Sequence, residues 1–152
     1  MSHKALVFPA PAEPFQLIDR PTPKPGPGQV LIKNVAVALN PVDYVVQHLG
    51  VWVDHYGFPA VSGFDGAGEI AALGEGVQGL KIGDRVYVFP ATLLTKRGCS
   101  RYHPRLYEAL YSPDEAAFQE FTVADAVQIA KASECWRVCQ HTELDTNVSS
   151  VL

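Results

Sequence analysis

Gln29-Val30-Leu31-Ile32-Lys33-Asn34-Val35-Ala36-Val37-Ala38-Leu39, followed at once by Asn40-Pro41, is the stretch that sets the fold class of this chain. The β-branched residues Val30, Ile32, Val35 and Val37 surround the polar Lys33 and Asn34, a composition that suits a pleated sheet surface. The run reads as a strand central to a sheet. Asn40-Pro41 ends it, and Pro41 to Gln47 can begin a short helix, because a first helical turn does not need the N–H that proline lacks. Asn40 and Asp43 then stand at the helix entrance.

Outward from that strand the chain repeats one theme. Lys4 to Phe8 and Phe15 to Ile18 are short apolar runs, closed by Pro9, Pro11 and Pro14 and by the proline-rich stretch Pro21 to Gly28. Gly66 to Leu73, Arg85 to Phe89, Phe118 to Val123 and Ala126 to Ile129 add further strands, with turns at Gly74-Glu75-Gly76 and Gly83-Asp84. Many short strands with regular turn signals predict a mainly β, partly open barrel with short helices, not alternating βαβ units. Residues 91–114 fit neither a strand nor a long amphipathic helix and read as a loop insertion. Residues 132–152 lack periodicity and read as a poorly ordered tail, leaving one domain over residues 1–131.

Charge and composition narrow the partners. A net charge of −4 with 12 Lys and Arg argues against nucleic acid, and Lys96, Arg97, Arg101 and Arg105 read as a solvated loop. No apolar run approaches the roughly 20 residues of a membrane span, and Met1-Ser2-His3-Lys4-Ala5-Leu6 runs into a strand pattern, so a cytoplasmic protein is expected. Cys99, Cys135 and Cys139 cannot form a fully paired disulfide set.

Several chemical motifs fail on context. Gly74-Glu75-Gly76-Val77-Gln78-Gly79 spells the dinucleotide fingerprint, but it leads into another strand, not a helix, and Glu75 would repel phosphate. Cys99 with His103, and Cys135, Cys139 and His141, match no standard zinc spacing, so no metal is expected. Asp54-His55-Tyr56 are adjacent and point apart. Trp52, Tyr56 and Phe58 either pack as a loop-covering aromatic group or line a substrate pocket. No catalytic residue is assigned.

Four ordered blocks then meet a family pattern: Lys24-Pro25-Gly26-Pro27-Gly28-Gln29-Val30-Leu31-Ile32-Lys33, Asn40-Pro41-Val42-Asp43, Gly63-Phe64-Asp65-Gly66-Ala67-Gly68 and Val77-Gln78-Gly79-Leu80-Lys81-Ile82-Gly83-Asp84-Arg85-Val86. The sequence resembles the medium-chain dehydrogenases/reductases, in particular the zinc-free quinone reductase and fungal trans-enoyl reductase branch, over the N-terminal GroES-like domain. In the zinc enzymes of that superfamily a cysteine stands at the position of Asn40 and a Gly-His-Glu at Gly63-Phe64-Asp65. An amide and a phenyl ring cannot replace a thiolate and an imidazole, so the resemblance implies zinc-free hydride transfer.

It further implies NADPH bound between this barrel and a Rossmann domain, with Asn40, Pro41, Val42, Asp43 and Tyr44 beside the nicotinamide. Asn40 and Asp43 can equally serve only as caps of the short helix. The resemblance fades at Val127-Gln128-Ile129-Ala130-Lys131. A truncated enone, quinone or enoyl reductase, lacking the C-terminal Rossmann domain and inactive alone, is therefore expected, with residues 132–152 foreign to the family. The alternative is a non-enzymatic binding or assembly module that uses the exposed barrel face, including for self-association.

Overall fold

The computed structural model of the chain describes residues 1–51, 53, 57–88 and 112–132. Trp52, Asp54, His55, Tyr56, Phe89, Pro90, residues 91–111 of the expected insertion and residues 133–152 of the expected tail lie outside the described residues, as do Cys99, His103, Cys135, Cys139 and His141.

Two antiparallel sheets carry the fold. β1 (Ser2–Phe8) pairs on one side with β2 (Gln16–Pro21) and on the other with β4 (Ala60–Val61). The second sheet runs in the order β7 (Phe121–Asp125), β3 (Gln29–Ala38), β5 (Asp65–Leu73), β6 (Arg85–Val88), β8 (Ile129–Lys131). Among the described residues one α-helix, α1 (Pro41–Leu49), leaves the end of β3. The chain is mainly β, as its turn-rich pattern implies. Among the described residues the sheets are not closed into a barrel by hydrogen bonds; an isolated bridge between Ala5 and Gln119 joins them.

Two local readings are corrected and one short strand is added. β4 has only two residues and exists because Val61 and Ala60 pair with Val7 and Phe8, a nonlocal cause. Phe118 does not begin a strand: its N–H donates to the Ser62 carbonyl at 2.9 Å and its carbonyl accepts the Leu6 N–H at 2.8 Å, so the ladder starts at Phe121. Ala126–Gln128 is a 3-10 turn between β7 and β8, anchored by the Ala126 N–H on the Gly28 carbonyl at 2.9 Å.

Three apolar clusters hold the elements. Ala5, Val7, Val61, Ala116 and Phe118 fill the space beside β1, where alternate residues point inward. Phe8, Val46, Val53 and Ala60 pack beneath α1. Val30, Ile32, Ile70, Val86 and Ala124 form the core of the larger sheet. Burial of each such Val, Ile or Phe side chain contributes about 1.5–3 kcal/mol. β3 is central only in its first half: Val30, Leu31 and Ile32 are buried, whereas Val35, Val37 and Leu39 are 73%, 43% and 83% exposed.

A polar hub ties β1 to the segment before β7. Gln119 donates from Nε2 to the carbonyls of Pro113 and Ala116, so its Oε1 is the acceptor for Arg20 and for the Nε2–H of buried His3, at 2.8 and 3.1 Å. Asn34 Nδ2 donates to the Gln119 carbonyl and to the Thr122 hydroxyl, with the Ala117 carbonyl sharing one of these hydrogens at 3.2 Å, binding the same segment to β3. These bonds tie the two sheets together, although His3 Nδ1 and Asn34 Oδ1 are buried without a partner among the described residues.

Candidate functional site

The end of β3, the entrance of α1 and the start of β5 converge. Asn40 is extended, with φ −112° and ψ 152°, and precedes Pro41, which opens the helix. The Asp43 N–H donates to the Asn40 carbonyl at 3.0 Å, and the Asn40 N–H donates back to Asp43 Oδ2 at 2.9 Å. Asp43, 5% exposed, thus closes the helix entrance with its carboxylate, and the Ser62 hydroxyl reaches its other oxygen at 3.5 Å.

The Asn40 side chain also reaches β5. Its Nδ2 donates to Asp65 Oδ2 at 3.0 Å, across the pairing of Ala38 with Asp65 that joins β3 to β5. With Nδ2 held there, Oδ1 is left as the acceptor of that amide. Pro41 is exposed, and Tyr44, 65% exposed, stacks on His48 with ring centroids 5.3 Å apart and 11° between planes. Val42 instead packs with Phe64 against the Phe8, Val46, Val53 and Ala60 cluster. Beside Asp65 a shallow hollow of about 340 Å³ is lined by Ala36, Val37, Ala38, Gly66, Ala67 and Tyr87.

Burial pushes the Asp43 carboxyl above its ordinary value of 3.8, and the neighbouring Asp65 carboxylate adds to the shift; the hydrogen bonds from Asn40 and Ser62 oppose it. A carboxyl that keeps its proton to higher pH when folded favours the folded state fully below the ordinary value, and that contribution is lost as pH rises through the folded value. Asp43→Asn cannot titrate, and its amide oxygen can still accept the Asn40 N–H. The melting temperature of Asp43→Asn minus that of the parent is expected to grow as pH is raised from about 3 to about 7. A difference that stays flat or falls across that range would contradict this account of Asp43.

Of the residues singled out in the sequence, Asn40, Pro41 and Tyr44 share the accessible rim. Asp43 and Val42 lie beneath it. Trp52 and Tyr56 lie outside the described residues. Sequence reasoning missed Asp65 and Ser62 as partners of Asn40 and Asp43; the Gly63-Phe64-Asp65 block had marked their place without their pairing. The Asn40 amide is committed to Asp65 and the Phe64 ring packs inward, so this donor set does not fit a catalytic zinc. Among the described residues no three His, Cys, Asp or Glu side chains cluster around one point.

The Gly74–Gly79 segment is a turn packed against the Gly26–Gln29 turn. The Gly74 N–H donates to the Gln29 carbonyl and the Gly28 N–H to the Glu75 carbonyl, both at 2.8 Å, and a Cβ on Gly74 would fall 1.8 Å from the Gly26 oxygen. Close packing of two turns explains that glycine. Among the described residues no helix is long and apolar enough to cross a membrane.

Comparison with known proteins places this arrangement. A trans-enoyl reductase of Aspergillus flavipes, tndF, is 38% identical over 125 residues, covering 82% of this chain and 32% of that protein. The quinone oxidoreductase of Coxiella burnetii superposes with a TM-score of 0.64 at 26% identity, covering 88% of this chain and 38% of that one. A cobalt- and zinc-bound thermostable alcohol dehydrogenase of Pyrobaculum aerophilum gives 0.68 at 27% identity, covering 87% and 42%. The chain spans about a third of the length of the curated relatives it matches. The family model described as the alcohol dehydrogenase GroES-like domain matches residues 26–134, and with these relatives it establishes that the chain belongs to that family, within the medium-chain dehydrogenases/reductases.

Proposed function

We propose that this chain forms one wall of the cleft of a cytoplasmic, NADPH-dependent reductase of a small enone, quinone or enoyl thioester, working without zinc. The observation that carries the reading is the Asn40–Asp65 hydrogen bond at 3.0 Å, which stands where the resembled zinc enzymes place metal-site residues. NADPH, when bound, would supply the hydride. Asn40, held by Asp65, would offer Oδ1 to an N–H of the nicotinamide carboxamide. Pro41 and the exposed Tyr44 ring would give the cofactor a flat apolar contact, while Asp43 and Val42 support them from beneath. The hollow at Ala36, Ala38, Gly66, Ala67 and Tyr87 would take the apolar part of the acceptor, with Trp52 and Tyr56 on its approach.

Weak binding by a single wall is the expected behaviour. Titrating the purified chain with NADPH while following Asn40 side-chain amide and Tyr44 ring resonances should give small shifts confined to residues 40–44 and Asp65, saturating only in the millimolar range. Shifts centred on Gly74–Gly79, or none at residues 40–44, would sink the reading. One observation, the exposed apolar half of β3, favours the second reading of an assembly module.

A further inference from the structure

The hollow beside Asp65 is lined by one side chain that can donate a hydrogen bond, the phenol of Tyr87. β6 pairs Tyr87 with Ala67, and Ala67 pairs in turn with Ala36 on β3. Residues two apart on a strand share a face, so Ala36, Ala38, Asp65, Ala67 and Tyr87 stand on one side of the sheet. The hollow of about 340 Å³ opens on that side, and its remaining walls are valine and glycine. Alanine keeps its floor low, and the half-exposed Tyr87 ring rises from it as a wall. The Tyr87 hydroxyl has no hydrogen-bond partner among the described residues.

Asp65 is the other polar side chain of the hollow. Its carboxylate only accepts, and Oδ2 already takes the Asn40 amide at 3.0 Å. Tyr87 is its diagonal neighbour across β5 and β6, about 7–8 Å away between backbone positions, a gap that a phenol side chain spans. Lining of this kind sorts ligands. A carbonyl oxygen set against alanine and valine loses its water and needs a donor in exchange. A free carboxylate would instead meet the Asp65 charge and be repelled.

We propose that the Tyr87 hydroxyl donates to the carbonyl oxygen of the acceptor, and that with the Asp65 charge it restricts the hollow to neutral carbonyl compounds, namely ketones, quinones and thioesters, and excludes free acids. The assignment rests on the reductase reading for the identity of the acceptor. Asp65 joins the two places, since it holds the Asn40 amide and borders the hollow, so a carbonyl compound held by Tyr87 lies next to the rim.

Cyclohexanone tests it, because this probe carries a carbonyl without the alkene through which an enone would alkylate Cys99, Cys135 and Cys139. Titrating it into the purified 152-residue chain should shift the methyl resonances of Ala36, Ala38 and Ala67 and the ring resonances of Tyr87. Tyr87→Phe keeps the ring and removes the hydroxyl, and its dissociation constant for cyclohexanone should rise about 3- to 10-fold. Cyclohexanecarboxylate at pH 7 should leave the same resonances unmoved. Equal affinity of the parent and a folded Tyr87→Phe, no shift at these four residues, or a carboxylate bound as tightly as the ketone would each overturn the proposal. Should Tyr87→Phe fail to fold, nuclear Overhauser contacts between cyclohexanone and the Tyr87 ring protons of the parent decide instead, and their absence overturns it equally. The NADPH titration fails separately: silence at residues 40–44 beside a Tyr87-dependent ketone shift sinks the reductase reading and leaves the carbonyl site standing.

Discussion

Purified and supplied with quinones or enones, the 152-residue chain is expected to leave NADPH unoxidised, at a rate at least about 100,000-fold below that of a reductase with a complete cleft. The magnitude follows from orientation: holding two reactants at near-attack distance is worth roughly 7–11 kcal/mol, and each 1.36 kcal/mol is tenfold in rate. On the proposed reading, the rim at Asn40, Pro41 and Tyr44 would face a cofactor from one side only. The Gly74–Gly79 turn leads into β6 and not into a helix, so it lacks the helix N-terminus that would hold a pyrophosphate as a second clamp. Spectrophotometric assay at high protein concentration checks the expectation, and robust turnover by this chain alone would overturn it.

Gly63→Ala carries a large expected loss of stability, because strain and overpacking act together there. Gly63 has φ +110°, a backbone conformation that residues with a Cβ avoid, and an added Cβ would lie 2.4 Å from Phe118 Cδ1 and 2.6 Å from the Phe118 nitrogen. Neither neighbour can retreat freely. The Phe118 N–H is bonded to Ser62, the Ala117 N–H to Gly63 itself at 2.9 Å, and the Phe118 ring sits in the cluster beside β1. Backbone strain of about 1–3 kcal/mol adds to overpacking of about 1–3 kcal/mol. In a domain of this size the midpoint should fall by more than about 10 °C. Because Gly63 leads directly into Phe64 and Asp65, the Asn40–Asp65 bond should weaken in the same variant. Thermal unfolding followed by circular dichroism is the measurement, and a midpoint within about 2 °C of the parent would refute the packing account.

What was legible in the sequence was local. The β-branched run of β3, the Asn40-Pro41 break and the three-residue spacing from Asn40 to Asp43 that matches a capping arrangement can all be read without knowing any neighbour. The exposure of Val35 to Leu39 could not be read, since those residues are as apolar as Val30 to Ile32; only the departure of β7 after Lys33 separates the two halves. β4 was invisible because two residues carry no period. Of the candidate site, the Asn40–Tyr44 segment was found, but Asp65 stands 25 positions from Asn40 and only the β3–β5 register brings them together. The division of labour within the segment, Val42 and Asp43 inward, Pro41 and Tyr44 outward, follows from helical periodicity once the helix boundaries are known.

The three-residue turn from Ala126 to Gln128 has a mechanical consequence. It connects β7 and β8, which are consecutive in the chain yet occupy the two outermost places of a five-stranded sheet. Four peptide steps reach at most about 14 Å, whereas five strands laid flat would set their margins about 19 Å apart. The sheet must therefore roll until its margins approach, and this brief link acts as a clasp that sets the circumference of an incomplete cylinder. Curvature here is imposed by the length of one tether as much as by the twist of the strands.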